Sequence, residues 1–274
     1  MKAKKKKVGL LLWLAVIAVL AIGSVLTGSS GGKEESVKAA MRDAVLHDAN
    51  RISLFGLKDV NPGLISAIAV TVLLLLAALC IRIFVIPKFQ YIPGKFQLVL
   101  EQLVGMFDKM AKTNSPHRNK FLGAYIFAAG AYIFVGTLFE LFGLQGITTT
   151  GSSITLSAPL ADVNAAISLG CLSYLVIMSG GIAENGFKGI ISTIKEFSLP
   201  ISMSFRLFGA LLSGLLVTEL VYYYITLSYV LPVIVGILFT ALHALIQSYV
   251  LTMLTALFYG EMAEPAVSKK TPQN

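Results

Sequence analysis

Five long apolar runs, at approximately 64–86, 121–143, 161–183, 199–225 and 230–259, constrain this chain more than any motif in it. Each holds about 20 residues or more, enough for a helix to cross roughly 30 Å of hydrocarbon. In lipid every backbone N–H and C=O has to find its partner within the protein, so runs of this length are expected as helices. The last two exceed the minimum and have to tilt, bend or run partly along the membrane. Composition agrees: 56% of residues are apolar, 13% are charged and the mean hydropathy is +0.79, whereas soluble domains carry about 25% charged residues. The expected fold class is an all-α integral membrane protein. It has five transmembrane or intramembrane helices and a cytoplasmic amphipathic helix, preceded by a signal peptide or anchor.

The chain opens on KAKKKK followed by VGLLLWLAVIAVLAIG, a positive segment and an apolar one, with Ala21-Ile22-Gly23 as a small-x-small cleavage site. Residues 1–27 are therefore expected as a signal peptide or anchor, and 28–63 as an exported polar, amphipathic segment. Residues 64–264 form the membrane domain and 265–274 a cytoplasmic tail. The two cysteines, Cys80 and Cys171, both sit in apolar runs, which argues against a disulfide framework or a metal site.

The net charge of +8 could suggest nucleic acid, but its distribution excludes that partner: the basic residues cluster beside apolar segments. The 82–120 connection holds Arg82, Lys88, Lys95, Lys109, Lys112, Arg118 and Lys120, whereas 144–160 holds no basic residue. The 184–198 loop carries Lys188 and Lys195, the turn near 226–229 none, and the tail Lys269 and Lys270. This alternation gives an exported N-terminal segment and a cytoplasmic C-terminus. Within 93–113, Phe96, Val99, Leu100, Leu103, Phe107 and Met110 recur at spacings of three and four. That pattern predicts a cytoplasmic amphipathic helix lying on the membrane or on a soluble partner.

One arginine, Arg206, falls inside the fourth apolar run, at an insertion cost on the order of 2.5–3.5 kcal/mol. On a helix its face carries Ser202, Gly209, Ala210, Ser213 and Gly214. Small residues on one side of a membrane helix let a neighbour approach closely. Snorkelling to the cytoplasmic interface, about seven residues or roughly 10 Å away, is the alternative. The last run adds Thr240, His243 and Gln247 on one line with Gly236, and a parallel stripe of Ser248, Thr252 and Thr255. Glu219 lies further along the arginine helix, and Asp162 with Asn164 opens the third run. Intramembrane ionisable groups are candidates for an ion or proton route; taken singly, each is also explained by an interhelical hydrogen bond.

The stretch Pro200-Ile-Ser-Met-Ser-Phe-Arg206-Leu-Phe-Gly209-Ala-Leu-Leu-Ser-Gly214 resembles the Pro-x-Ser-x-x-x-Arg-Leu-Phe-Gly-Asn-x-x-x-Gly pattern of the a subunit of F-type ATP synthases. PGKFQLVLEQLV is similar to that family's cytoplasmic helix, and APLADVNAAISL to its Ala-Asp-x-Asn-x-Thr-containing motif. LHALIQSYVLTMLTALFYGEMAE resembles its last helix, with Gln247 at the characteristic glutamine. The resemblance spans roughly residues 55–264.

It implies the stationary, ion-translocating subunit of a rotary motor, packed against a ring of c subunits and flanked by two half-channels. Arg206 would engage the c-subunit carboxylate, and Ser202, Gly209, Ala210, Ser213 and Gly214 would face the ring. Gln247, His243, Glu219, Asp162 and Asn164 complete the translocation set. The implied partners are the c-ring, b-type peripheral stalk subunits, the rest of the ATP synthase complex and the lipid bilayer of a bacterial inner membrane. The sequence departs from the family at Ala210, Leu215 and Thr240, where asparagine, a glutamate or histidine, and a titratable or polar residue are usual. Glu219 and His243 are the candidates to replace the lost groups. The ion is a proton or, with fewer supporting residues, sodium.

No Gly-rich phosphate loop is present, so no cofactor and no catalytic residue is expected; ATP chemistry belongs to partner subunits. A secondary transporter with Arg206 on an anionic substrate is the rival reading. It predicts an internal repeat, and none is evident between 64–143 and 161–259.

Overall fold

A computed structural model describes residues 52–54, 57–142, 144–147, 153–223 and 231–264. The expected signal peptide or anchor (1–27), most of the exported segment (28–63) and the tail (265–274) lie outside the described residues. A short antiparallel pair, β1 (Ile52–Leu54) and β2 (Leu57–Val60), precedes the first long helix.

Helix α1 (Pro62–Cys80) starts where the sequence stops it from starting earlier. Pro62 occupies the first helical position, where a missing N–H costs nothing, and the Asn61 side chain accepts from the Gly63 N–H at 2.8 Å. The helix continues through a π turn (Ile81–Val85) and a 3-10 turn (Ile86–Lys88), and Pro87 lies in the second of these. Helix α2 (Lys95–Asn114) is the expected amphipathic element, burying Phe107 and Ala111 and exposing Phe96, Val99 and Leu103. Helix α3 (Asn119–Phe139) follows, then a 3-10 turn (Glu140–Phe142) and a second antiparallel pair, β3 (Gln145–Ile147) and β4 (Ser153–Thr155). A 3-10 turn (Pro159–Ala161) leads into α4 (Val163–Asn185). Then come α5 (Phe187–Lys195), α6 (Ser198–Tyr223) and α7 (Leu231–Met262).

Among the described residues four helices are long and apolar enough to cross a membrane, and α5 with the first part of α6 makes a fifth span bent by 51°. The all-α membrane class therefore holds. Two connections differ from their sequence reading. Residues 144–160 contain a hairpin and a 3-10 turn. Residues 184–198 contain a helix, α5, where a cytoplasmic loop is expected. The loop reading fails because nine residues are too few to show as a separate span. Gly186, at φ +56°, permits the sharp reversal from α4 into α5.

The core of the bundle joins Ile126 and Ile133 of α3, Ile177 of α4, Met203 and Leu207 of α6 and Leu251 of α7. Backbones come close where glycine replaces a side chain. A Cβ on Gly260 of α7 would fall on the Asn114 carbonyl, and one on Gly180 of α4 would fall on the Tyr259 ring. Helix α1 is peripheral. It buries Ser66 and Val70 and turns Leu64, Ile68, Leu75 and Leu79 outward. At one end of the bundle Arg118 Nε donates to Glu184 Oε2 at 3.1 Å, and Arg118 Nη2 donates to the Ala183 carbonyl at 3.1 Å. Asn185 there donates to the carbonyls of Met262 and Glu264.

Candidate functional site

The position of Arg206 follows from how α5 and α6 run along α4. Gly189 of α5 lies against Gly181, so closely that a Cβ would strike the Gly181 carbonyl. Further on, the Tyr174 hydroxyl donates to the Thr193 carbonyl at 2.9 Å. Past the bend, Pro200 and Ser204 of α6 lie against Gly170. The contacts advance steadily from the C-terminal end of α4 towards its N-terminal end. Gly170 is about fifteen residues, or ~22 Å, from Asn185. Arg206, half a turn beyond Ser204, thus lies far from the end of the bundle that carries Arg118. The snorkelling alternative places a cytoplasmic interface about seven residues away, at the start of α6, and the whole of α5 lies between that point and the end of α4.

Helix α6 buries Met203, Leu207 and Leu211 at successive turns. The opposite side presents Ser202, Arg206, Gly209 and Ser213 outward, with Ala210 half-buried beside them. Among the described residues, outside its own turns of helix, nothing lies within 4 Å of a Cβ built on Gly209. The ion pairs among the described residues join Lys112 to Asp108 and Arg118 to Glu184, and Arg206 belongs to neither. Gly214 departs from this open face: a Cβ there would lie 3.4 Å from His243 Nδ1. The absence of a side chain at Gly214 makes room for the imidazole of α7.

On α7, Gln247 is 5% exposed, whereas Thr240 and His243 are half-buried. His243 also stands beside Phe239, with ring centroids 5.9 Å apart. The parallel hydroxyl stripe is spent on the helix itself. Ser248 donates to the Leu245 carbonyl, Thr252 to Ser248 and Thr255 to Leu251, which occupies their O–H donors and leaves only the oxygen lone pairs. The Glu219 side chain lies outside the described residues, although its backbone belongs to α6.

Asp162 and Asn164 lie at the N-terminus of α4, and Asp162 is the N-cap. Its Oδ1 accepts from the Asn164 N–H at 2.7 Å, and its Oδ2 accepts from the Asn61 side-chain amide. Asn61 caps α1, so one hydrogen bond joins the caps of two helices. Asn164 itself is exposed, and its carbonyl accepts from Ser168 at 2.7 Å. The structure thus places these two residues at the start of α4, next to the Pro159–Ala161 turn that packs on α6, and brings His243 to Gly214 of the arginine helix.

Two groups escape a sequence reading. Lys195 and Glu196 stand at the bend between α5 and α6, beyond the Thr193 contact with Tyr174 and hence well along α4. Lys195 is exposed and Glu196 half-buried. Their charges are visible in the sequence, but they look like interfacial loop residues until α5 is seen to lie along α4. Asn61 is the other omission: an asparagine before a proline signals a helix start, not its partner a hundred residues away. Among the described residues no group of three or more His, Cys, Asp and Glu could hold a metal ion.

The family model described as the ATP synthase A chain matches residues 64–260 of this chain. A relative named ATP synthase subunit a, from Cereibacter sphaeroides (strain ATCC 17025 / ATH 2.4.3), is 27% identical over 180 residues, which cover 61% of this chain and 69% of the relative. A second of the same name, from Histophilus somni (strain 129Pt), is 25% identical over 204 residues, covering 61% and 76%.

Proposed function

Because the chain belongs to the ATP synthase A chain family, we propose that it is the stationary ion-translocating subunit of a rotary ATP synthase and that Arg206 engages the carboxylate of a passing c subunit. The observation that carries this reading is the open face of α6. A permanent cation without a partner in the described chain stands there among Ser202, Gly209, Ala210 and Ser213. A charge so far from either helix end needs a partner of opposite sign, and a surface without bulk lets a second helix bring one close.

The chemistry favours arginine. Guanidinium stays charged at any working pH, and its attraction favours the ionised form of a carboxylate in a low-dielectric interface. A carboxylate arriving with its ion therefore releases it beside Arg206 and takes up another after passing. The same positive charge repels a cation that would leak straight through. Gln247 and His243 on α7, and Glu219 on α6, line the route to this point. Asp162 and Asn164 mark its exported mouth, and the charged bend at Lys195 and Glu196 admits water from the other side. The basic end of the bundle, with Lys109, Lys112, Arg118 and Lys120, is cytoplasmic. The c-ring turns against α6, b-type stalk subunits hold the chain still, and ATP chemistry stays with other subunits. The cargo is a proton or sodium.

ATP-driven ion pumping by the whole complex in vesicles tests the reading. Removing one partner of a desolvated ion pair costs about 3–5 kcal/mol, so Arg206→Ala is expected to lower pumping about a hundredfold or more, and Arg206→Lys to lower it substantially. Pumping at the wild-type rate in both variants would overturn the reading.

A further inference from the structure

An open cavity of about 450 Å³ lies away from the arginine face, lined by His117, Arg118, Asn119, Lys120, Phe121 and Tyr259. Its level is fixed by the helices that frame it. Asn119 begins a membrane-spanning helix, and Tyr259 lies one turn from the end of another. The cavity therefore opens where hydrocarbon gives way to water. Its polar part is cationic. Arg118 spends Nε on Glu184 and Nη2 on the Ala183 carbonyl, which fixes the guanidinium plane. Lys120 is exposed and belongs to neither ion pair of the described residues. His117 is exposed beside them, and Asn119 turns its amide to the Pro116 carbonyl. The apolar part is Phe121, exposed on the outer side of α3, and the Tyr259 ring.

We propose that this cavity binds an anionic phosphate group, with an acyl chain of the same lipid lying against Phe121. Glu184 neutralises one guanidinium, so a phosphate meets a net positive site through Lys120, with the exposed imidazole of His117 beside it as a further polar contact. Basic pockets between membrane helices on the cytoplasmic side are where phosphorylated headgroups are held. Lys120 offers a phosphate a mobile point charge, and the fixed guanidinium of Arg118 offers only the N–H groups not spent on Glu184 and Ala183. A neutral or zwitterionic headgroup gains little from this pairing. A free phosphate has the same charged chemistry and lacks the contact with Phe121.

Phe121→benzoylphenylalanine in the whole complex, reconstituted in mixed vesicles of phosphatidylglycerol and phosphatidylethanolamine, reports the occupant by photo-crosslinking and peptide mass. The expected result is an adduct several-fold enriched in phosphatidylglycerol over its share of the vesicle. That enrichment is lost in Lys120→Gln combined with His117→Gln and kept in Lys120→Arg. Persistence of the enrichment in excess inorganic phosphate assigns the site to the lipid headgroup; its loss assigns the same site to free phosphate. Adducts in proportion to the vesicle composition, or an enrichment that survives the double substitution in a complex that still assembles, would overturn the proposal.

Discussion

Arg206 and Gly260 show opposite uses of space at single residues. Gly260 is small because the Asn114 carbonyl occupies the place of its side chain, so Gly260→Ala has to push α2 off α7. Overpacking of that kind costs about 1–3 kcal/mol, and the melting temperature of the purified complex is expected to fall accordingly. Gly209 is small although, among the described residues, no packed neighbour stands where its side chain would be. Gly209→Leu should therefore leave the chain's helices intact by circular dichroism while sharply reducing pumping by the complex. Wild-type pumping in that variant would remove the α6 face from the ring interface. His243 differs from both, since its imidazole meets Gly214 across the crossing of α6 and α7. His243→Ala is expected to lower transport by the complex; an unchanged rate would take it off the route.

At the scale of elements, the clasp between Asn61 and Asp162 joins the starts of α1 and α4. An N-cap is worth about 0.5–2 kcal/mol. Asp162→Ala should destabilise the chain by that order, whereas Asp162→Asn keeps an accepting oxygen for the cap and loses the charge and the acceptor for Asn61. Comparing their thermal stability with their pumping separates the capping role from the translocation role. The bend between α5 and α6 makes a second prediction. With Cys80 and Cys171 replaced by serine, Lys195→Cys and Glu196→Cys are expected to react with a membrane-impermeant thiol reagent from the basic side only. Leu199→Cys, buried one turn on, should stay protected. Protection of all three from both sides would mean that water does not reach the bend.

For the molecule as a whole, one end gathers the start of α3 and the ends of α4 and α7, tied by Arg118, Glu184 and Asn185. The other end gathers the starts of α1 and α4 with the end of α3, where Gly136 lies against Pro159 and Val70. Between them α7 has 32 residues, about 48 Å of helix, too long for an upright crossing of roughly 30 Å. It must lean, and a leaning helix can follow the flank of a neighbouring ring. Copurification of a small two-helix proteolipid with this chain is the expected consequence, and its loss on Gly209→Leu would locate the contact.

The apolar runs, the amphipathic period of α2 and the small-residue face around Arg206 were legible in the sequence. Each is a local periodicity, and backbone satisfaction in lipid leaves such segments only one regular form. The order of the motifs also carried the family. The depth of Arg206 was not legible, nor was α5, whose place depends on Gly181, Tyr174 and Gly170 of another helix. Gly214 reads as part of the open face by its spacing alone, and only the seat of His243 against it shows otherwise. The clasp of Asn61 to Asp162 is hidden for the same reason. Periodicity fixes which side of a helix is small or apolar, whereas depth and partnership come from contacts between residues far apart in the chain, and those exist only once the helices have packed.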